Sequence, residues 1–165
     1  MDMFRDHQLT VLALTETWHD TDSPVFGRCR SSGYSVADHP HLRTRDDHLS
    51  VNHGSVAVAA PGTSLSPLSA GPSSSIFEIV VSYVTTGSSR PAVVVVDPSD
   101  SQSVAAQFFD DLSALLERLV VLSAPLFIIG DFNIRLDQDV RHAEQLRSVT
   151  EALGLQISRT APNPS

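Results

Sequence analysis

The run Pro125-Leu-Phe-Ile-Ile-Gly-Asp-Phe-Asn-Ile134 constrains the fold more than any other stretch of the chain. Consecutive apolar residues, opened by proline and closed by glycine, read as a strand buried in a sheet. With the backbone still extended beyond Gly130, Asp131 and Asn133 point to one side and Phe132 to the other. A carboxylate and a carboxamide then share the carboxyl edge of a sheet, where open α/β sheets bind ligands, and Phe132 anchors the core. The plainer alternative is a polar turn in which Asp131 only caps a bend.

At 165 residues the chain is long enough for one domain with a real core, and a hydrophobic content of 41% fits a soluble globular protein. No apolar run is long enough to span a bilayer. The opening Met1-Asp-Met-Phe-Arg-Asp-His7 lacks the basic and apolar blocks of a signal peptide. The lone Cys29 cannot form an internal disulfide and favours a reducing, intracellular setting. Net charge is −8, and all 11 basic residues are arginine. That balance argues against broad binding to nucleic acid through phosphate neutralisation, while leaving room for a metal site that meets one phosphate.

In chain order, Gln8 to Leu14 reads as a strand that carries Glu16 out of its carboxyl end. Asp20 to Phe26 reads as a short helix with Pro24 in its first turn. Gly33 to Ala37 is a short strand, and His39 to His53 an exposed loop. His39, His41, His48 and His53 match no zinc spacing and read as solvated. Gly54 to Ala60 is a further strand. Residues 61–75, rich in Ser, Pro, Gly and Ala, read as a loop with a short edge segment. Ile76 to Val84 and Ala92 to Val96 form an antiparallel hairpin across a loose turn.

A helix is expected from Ser103 to Leu122, where Val104, Phe108, Leu112, Leu115, Leu119 and Leu122 make one apolar stripe. Asp110, Asp111, Glu117 and Arg118 then fall on its solvated side. Asp139 can cap a second helix, Val140 to Leu153, with Leu146, Val149 and Leu153 facing the core and Gly154 stopping it. Leu155 to Ser158 is expected to begin one more strand. The residues taken alone thus describe one α/β domain in which helices cover a mixed sheet.

Two strands end in acids, Glu16 after the first and Asp131 with Asn133 after the pivotal one. Were these strands neighbours, two carboxylates and an amide would converge. Hard oxygen donors of that kind suit Mg²⁺, which takes one or two carboxylates and keeps waters for a substrate phosphate. Such a metal polarises a phosphoryl oxygen and helps orient or deprotonate a water. No Gly-x-Ser-x-Gly turn is present and Cys29 has no evident base partner, so Ser or Cys nucleophilic catalysis is not indicated. Gly130 stands alone, so there is no glycine-rich phosphate loop either.

Leu12-Ala-Leu-Thr-Glu-Thr-Trp18, His53-Gly-Ser-Val-Ala-Val58 and Ile128-Ile-Gly-Asp-Phe-Asn133, in that order, resemble the endonuclease/exonuclease/phosphatase superfamily. The wording is closest to the apurinic-endonuclease-like domains of non-LTR (LINE-type) retrotransposons. The resemblance implies a DNase I-like four-layer α/β sandwich and Mg²⁺-dependent phosphodiester hydrolysis, with Mn²⁺ as an alternative ion. It implies Glu16 as metal ligand, Asp131 as the residue that orients or activates water, and Asn133 as a contact to the scissile phosphate. DNA is the implied partner, with a reverse transcriptase domain of the same element as a second, and the nucleus is the implied place of action. Trp18 reads as a core or rim aromatic.

Departures from the family pattern matter as much. The family's first strand, with its metal-site Asn, has no counterpart before Met1–His7, and the closing Leu-Asp strand and Ser-Asp-His have none before Ser165. Related retrotransposon domains continue their valine strand into Tyr-Arg-Pro, whereas this chain reads Val96-Asp97-Pro98. Tyr83, in the preceding strand, is no substitute. The expectation is therefore a single partial domain over 1–165, incomplete at both termini, and inactive or weakly active. Two other functions share these features: a non-catalytic α/β module that binds protein through exposed sheet edges, and a phosphatase of the same superfamily.

Overall fold

The structure, a computed structural model, describes residues 3–19, 21–40, 54–62, 64–69, 77–98, 106–132, 134 and 140–158. In chain order come a single helical turn α1 (Met3–Asp6), β1 (Leu12–Leu14), α2 (Pro24–Ser31), β2 (Tyr34–His39), β3 (Val56–Pro61) and β4 (Leu65–Leu68). Then follow β5 (Phe77–Val84), β6 (Ala92–Pro98), α3 (Ala106–Val120), β7 (Leu126–Gly130) and α4 (Val140–Ala152). They build two sheets, one ordered β1-β3-β2 and one ordered β4-β5-β6-β7. Every pairing is antiparallel except β6 with β7.

Alternation along the strands decides what each face meets. Val93 and Val95 of β6 join Val80 and Val84 of β5 and Ala37, Val56 and Val58 of the first sheet in one buried cluster, so the sheets pack face to face. Val94 and Val96 point the other way with Phe77, Ile79 and Val81. They meet the Phe108, Leu112, Leu115, Leu116 and Leu119 stripe of α3 and Leu146 of α4. α2 covers the outer face of the first sheet, where Arg30 reaches the Val36 carbonyl and the Asp38 carboxylate, both out of phase with Ala37.

The order is helix, sheet, sheet, helices. These are the four layers that the family resemblance implies, and they correct the single covered sheet that the residues alone suggested. Strands apolar on both faces, such as Val93–Val96, suit one doubly covered sheet as well as two stacked ones, so patterning could not separate the two.

Most elements lie where their patterns placed them. α2 differs: it starts at Pro24, after Ser23, and continues to Ser31 rather than stopping at Phe26. The expected strand at 155–158 does not form. Gly154 N–H donates to Glu151 O at 3.0 Å and Leu155 N–H to Thr150 O at 2.9 Å, a Schellman stop that turns Leu155 into the helix's own apolar contact. The edge segment expected within 61–75 is β4, with Pro67 tolerated because among the described residues the strand is paired on one side only. Val104, Asp139, His41, His48 and His53 lie outside the described residues. No described helix is long and apolar enough to cross a membrane.

The pivotal strand forms where its pattern placed it but is not buried as expected: β7 is the last strand of its sheet among the described residues, with Leu126 and Ile128 on the α3 cluster and Phe127 and Ile129 exposed. Phe132 packs on the α3 cluster, its ring 6.4 Å from that of Phe108, while Asp131 is exposed on the opposite side. Gly130 is needed for this, because a Cβ there would press into the Val96 carbonyl of the neighbouring strand. Gly130→Ala is expected to destabilise the chain by about 2 kcal/mol or more, as overpacking against rigid backbone does. Urea unfolding checks this: an unchanged midpoint would mean that β7 does not sit this close to β6.

Candidate functional site

The carboxyl ends of β1, β6 and β7 and the starts of β3 and β5 meet at one edge of the two sheets. Pairing of Leu14 with Ala57 carries Glu16 alongside Ser55. Glu78 pairs with Asp97, and pairing of Val96 with Gly130 brings Asp131 next to Asp97. β1 and β7 are not neighbours; they belong to different sheets. Their acids come together across the interface between the sheets, not along one sheet as adjacency would have had it.

Asp97 is at the centre, 2% exposed. It is in phase with Val93 and Val95 and so faces the first sheet, where its Oδ2 accepts the Glu16 backbone N–H at 3.0 Å. Glu78, also buried and in phase with Val80, accepts the backbone N–H of Ser55. Two carboxylates of one sheet thus satisfy two backbone donors of the other. Gly54 makes room for this contact: its φ is +109°, and a Cβ would lie 2.8 Å from Glu78 Oε2. Burial pushes the Asp97 carboxyl up from 3.8 to about 6. The Glu16 N–H works against that rise, and the charges of Glu16, Glu78 and Asp131 add to it.

The segment 16–19 is strained and held. Glu16, Trp18 and Ser55 adopt φ of 48°, 49° and 70°, a left-handed region that costs roughly 1–2 kcal/mol per residue without glycine. The strain is locked in by Thr17 N–H to Ser55 O at 3.1 Å, Trp18 N–H to Gly54 O at 3.1 Å and His19 N–H to Ser55 Oγ at 3.1 Å. The buried His19 ring adds a second tie. Its Nδ1 is 2.5 Å from Thr17 Oγ1, its Nε2 is 3.2 Å from Asp38 Oδ2, and it meets Phe26 edge-on. Asp38 in turn pairs with Arg30. Backbone is buried here while the Glu16 and Trp18 side chains project outward.

Of the residues singled out from sequence, Glu16 and Asp131 arrive at this edge with exposed side chains, and Asn133 lies outside the described residues. Trp18 is on the rim, 55% exposed. Tyr83 is at the far end of β5, paired with Ala92 and under the Arg90 guanidinium at 4.3 Å. Asp97 and Glu78 were missed as site residues. Each had a signal: a charged residue in an apolar strand, Glu78 one step into β5 and Asp97 directly after the valines.

A model of the endonuclease/exonuclease/phosphatase family matches residues 1–149. The chain belongs to that family. Comparison with curated protein sequences gives no match. Among solved structures, the endonuclease domain of TRAS1, a telomere-specific non-LTR retrotransposon, superposes with a TM-score of 0.64 at 14% identity, covering 96% of this chain and 64% of that one. The human Nocturnin catalytic domain with bound sulfate gives 0.57 at 16% identity, over 89% of this chain and 59% of that one. D. rerio TDP2 complexed with single-strand DNA product gives 0.56 at 12%, over 86% and 54%. The chain therefore spans somewhat more than half the length of the solved domains it matches, and at identities this low the superposition establishes the shared fold alone.

The family generally depends on a divalent metal. Among the described residues no three His, Cys, Asp or Glu side chains are grouped closely enough to hold one. The donor chemistry still fits Mg²⁺ bound largely through water, which needs only one or two carboxylates. Glu16 and Asp131 are open to solvent, and the surplus of negative charge felt by Asp97 is what a cation would relieve.

Because folding raises the Asp97 pKa, the folded state holds that proton more tightly than the unfolded state. Stability therefore falls as pH rises from about 4 to about 6, by on the order of 2–3 kcal/mol in total, and stays lowered above that. Asp97→Asn keeps an acceptor for the Glu16 N–H without the charge. Thermal unfolding should find the variant more stable than wild type at pH 8, with the gap closing by pH 4. A variant equally weakened at both pH values would show that the carboxylate charge is not opposed by its surroundings.

Proposed function

We propose that this chain is a divalent-metal-dependent phosphodiesterase domain that acts on DNA, with low turnover. The observation that carries this proposal is the meeting of Glu16, Glu78, Asp97 and Asp131 at one strand-end edge. In it, Glu16 holds Mg²⁺ (or Mn²⁺), Asp131 orients or activates the attacking water, and Asn133 contacts the scissile phosphate. When bound, the metal supplies Lewis acidity at the phosphoryl group.

The chain's own contribution is placement. Asp97 fixes the Glu16 backbone from below, and Phe132, rooted in the α3 cluster, turns Asp131 outward. Such fixing of reacting groups is worth a large share of a barrier. In this proposal Asp97 also limits turnover. Above pH 6 it adds a buried negative charge where a phosphodiester must approach, and only a cation or a proton offsets it.

Support for DNA as substrate comes from the fold shared with TDP2 complexed with single-strand DNA product and with the 3′ phosphatase NExo from Neisseria bound to a product DNA hairpin. The TRAS1 likeness and the Thr15–Trp18 wording favour target nicking for a non-LTR retrotransposon, with the element's reverse transcriptase domain as partner. One observation favours the protein-binding alternative: β7 is a sheet edge with Phe127 55% and Ile129 41% exposed.

Two measurements decide between them. Mg²⁺ should raise the thermal midpoint of the wild type by mass action and leave that of Glu16→Ala unmoved. It should also support slow nicking of supercoiled plasmid, reduced about 100-fold or more by Glu16→Ala or Asp131→Ala. A midpoint indifferent to Mg²⁺ together with no nicking would overturn the enzymatic assignment and leave the β7 edge as the functional surface.

A further inference from the structure

We propose that His19 is a positioning residue for Glu16: its buried ring ties the Glu16 segment to the outer layer of the first sheet, and so sets how that carboxylate meets a cation. This rests on Glu16 being the metal ligand, and deepens that reading by naming what holds the ligand in place.

His19 is 6% exposed, and no step of the proposed reaction uses it. Both ring nitrogens are engaged. Nε2 is 3.2 Å from Asp38 Oδ2, and because a carboxylate only accepts, Nε2 donates there. Nδ1 is 2.5 Å from Thr17 Oγ1, a hydroxyl that can donate to a bare ring nitrogen or accept from a protonated one. The tie therefore survives either state of the ring. Arg30 of α2 takes the other oxygen of Asp38, and Phe26 of the same helix meets the ring edge-on. The contacts Thr17 to His19 to Asp38 to Arg30 thus begin one residue from Glu16 and end on a different layer.

Burial alone obliges a histidine to bond its nitrogens. What marks this one is where the two bonds lead. Glu16 and Trp18 are left-handed at 48° and 49°, a backbone that relaxes unless its surroundings over-determine it. The amides of Thr17, Trp18 and His19 run to Gly54 and Ser55, so they fasten one strained stretch to another, Ser55 itself standing at 70°. The ring reaches regular structure instead, since Asp38 lies within β2 in register with Ala57 of β3. Asp97 holds Glu16 from the second sheet; His19 holds it from the first. Removing a group that orients a metal ligand from behind typically costs about 10- to 100-fold in metal affinity or activity.

The test compares the 165-residue chain with three variants. His19→Phe fills the ring's place beside Phe26 without its bonds. Thr17→Val keeps the shape at 17 and removes only the hydroxyl. Leu119→Val loosens the α3 cluster, on the far face of the second sheet, and serves as the control for stability alone. Amide hydrogen exchange of the metal-free protein reads the hold on segment 16–19, with the β6 amides of Val93 to Val96 as internal standard. The Mg²⁺ concentration giving half of the thermal-midpoint rise reads the site. His19→Phe and Thr17→Val should each speed exchange at Glu16 about 10-fold or more relative to β6, and raise that Mg²⁺ concentration about 10- to 100-fold. Leu119→Val should lower the midpoint and leave both ratios as in the wild type.

Exchange at Glu16 that merely keeps pace with β6 in both variants overturns the inference. So does wild-type response to Mg²⁺ in both, or an equal loss in Leu119→Val. A wild type whose midpoint ignores Mg²⁺ defeats the metal reading by itself, and the exchange comparison still decides whether His19 holds Glu16.

Discussion

The two carboxylates that cross between the sheets organise everything at the functional edge. Asp97 and Glu78 point from the second sheet into the interface and are met there by the backbone N–H groups of Glu16 and Ser55. Burying an ionisable group is costly unless its hydrogen bonds are made, and these bonds are what permit two acids at the end of an otherwise valine-lined interface. They also fix the relative position of the sheets at the end where the exposed acids lie. Side chains that only filled space at both positions would leave the Glu16 and Ser55 backbone N–H groups without these acceptors, a penalty of about 1–3 kcal/mol each.

From that clamp follows the shape of the segment 16–19. Drawing the Glu16 N–H down to Asp97 forces a left-handed turn, and the Thr17, Trp18 and His19 amides then find their acceptors on Gly54 and Ser55. Strain in three residues is retained because the surrounding bonds over-determine it. His19 extends this restraint to the outer layer through Asp38 and Arg30. The consequence is a short segment whose backbone belongs to the core and whose Glu16 and Trp18 side chains belong to the surface.

Much of this was legible in the chain. Alternation and apolar runs located β3, β5, β6 and β7, and the Phe108–Leu119 stripe located α3, because each reflects burial on one face or two. Glu16 and Asp131 were legible as acids that follow strands. Two things were hidden. Whether doubly apolar strands stack as two sheets depends on what packs over them, which local pattern does not record. The role of Asp97 was hidden for a similar reason: its partner is a backbone N–H 81 residues away. Beside the family wording, Asp97 reads as a lost tyrosine; in the fold it is the residue that holds Glu16 in place.

That dual character places the site under competing demands. Ionised, Asp97 is the stronger acceptor for the Glu16 N–H but shares its surroundings with three other carboxylates; protonated, it escapes the repulsion and binds less tightly. A proton and a divalent cation are alternative ways of removing the same excess of charge. Since linkage is reciprocal, a cation bound at this edge would lower the Asp97 pKa, and ionising Asp97 would strengthen its binding. Above pH 6 the negative charge that would attract a cation is therefore the same one that lowers the stability of the fold. Stability of the edge and readiness of the site are two readouts of one electrostatic balance.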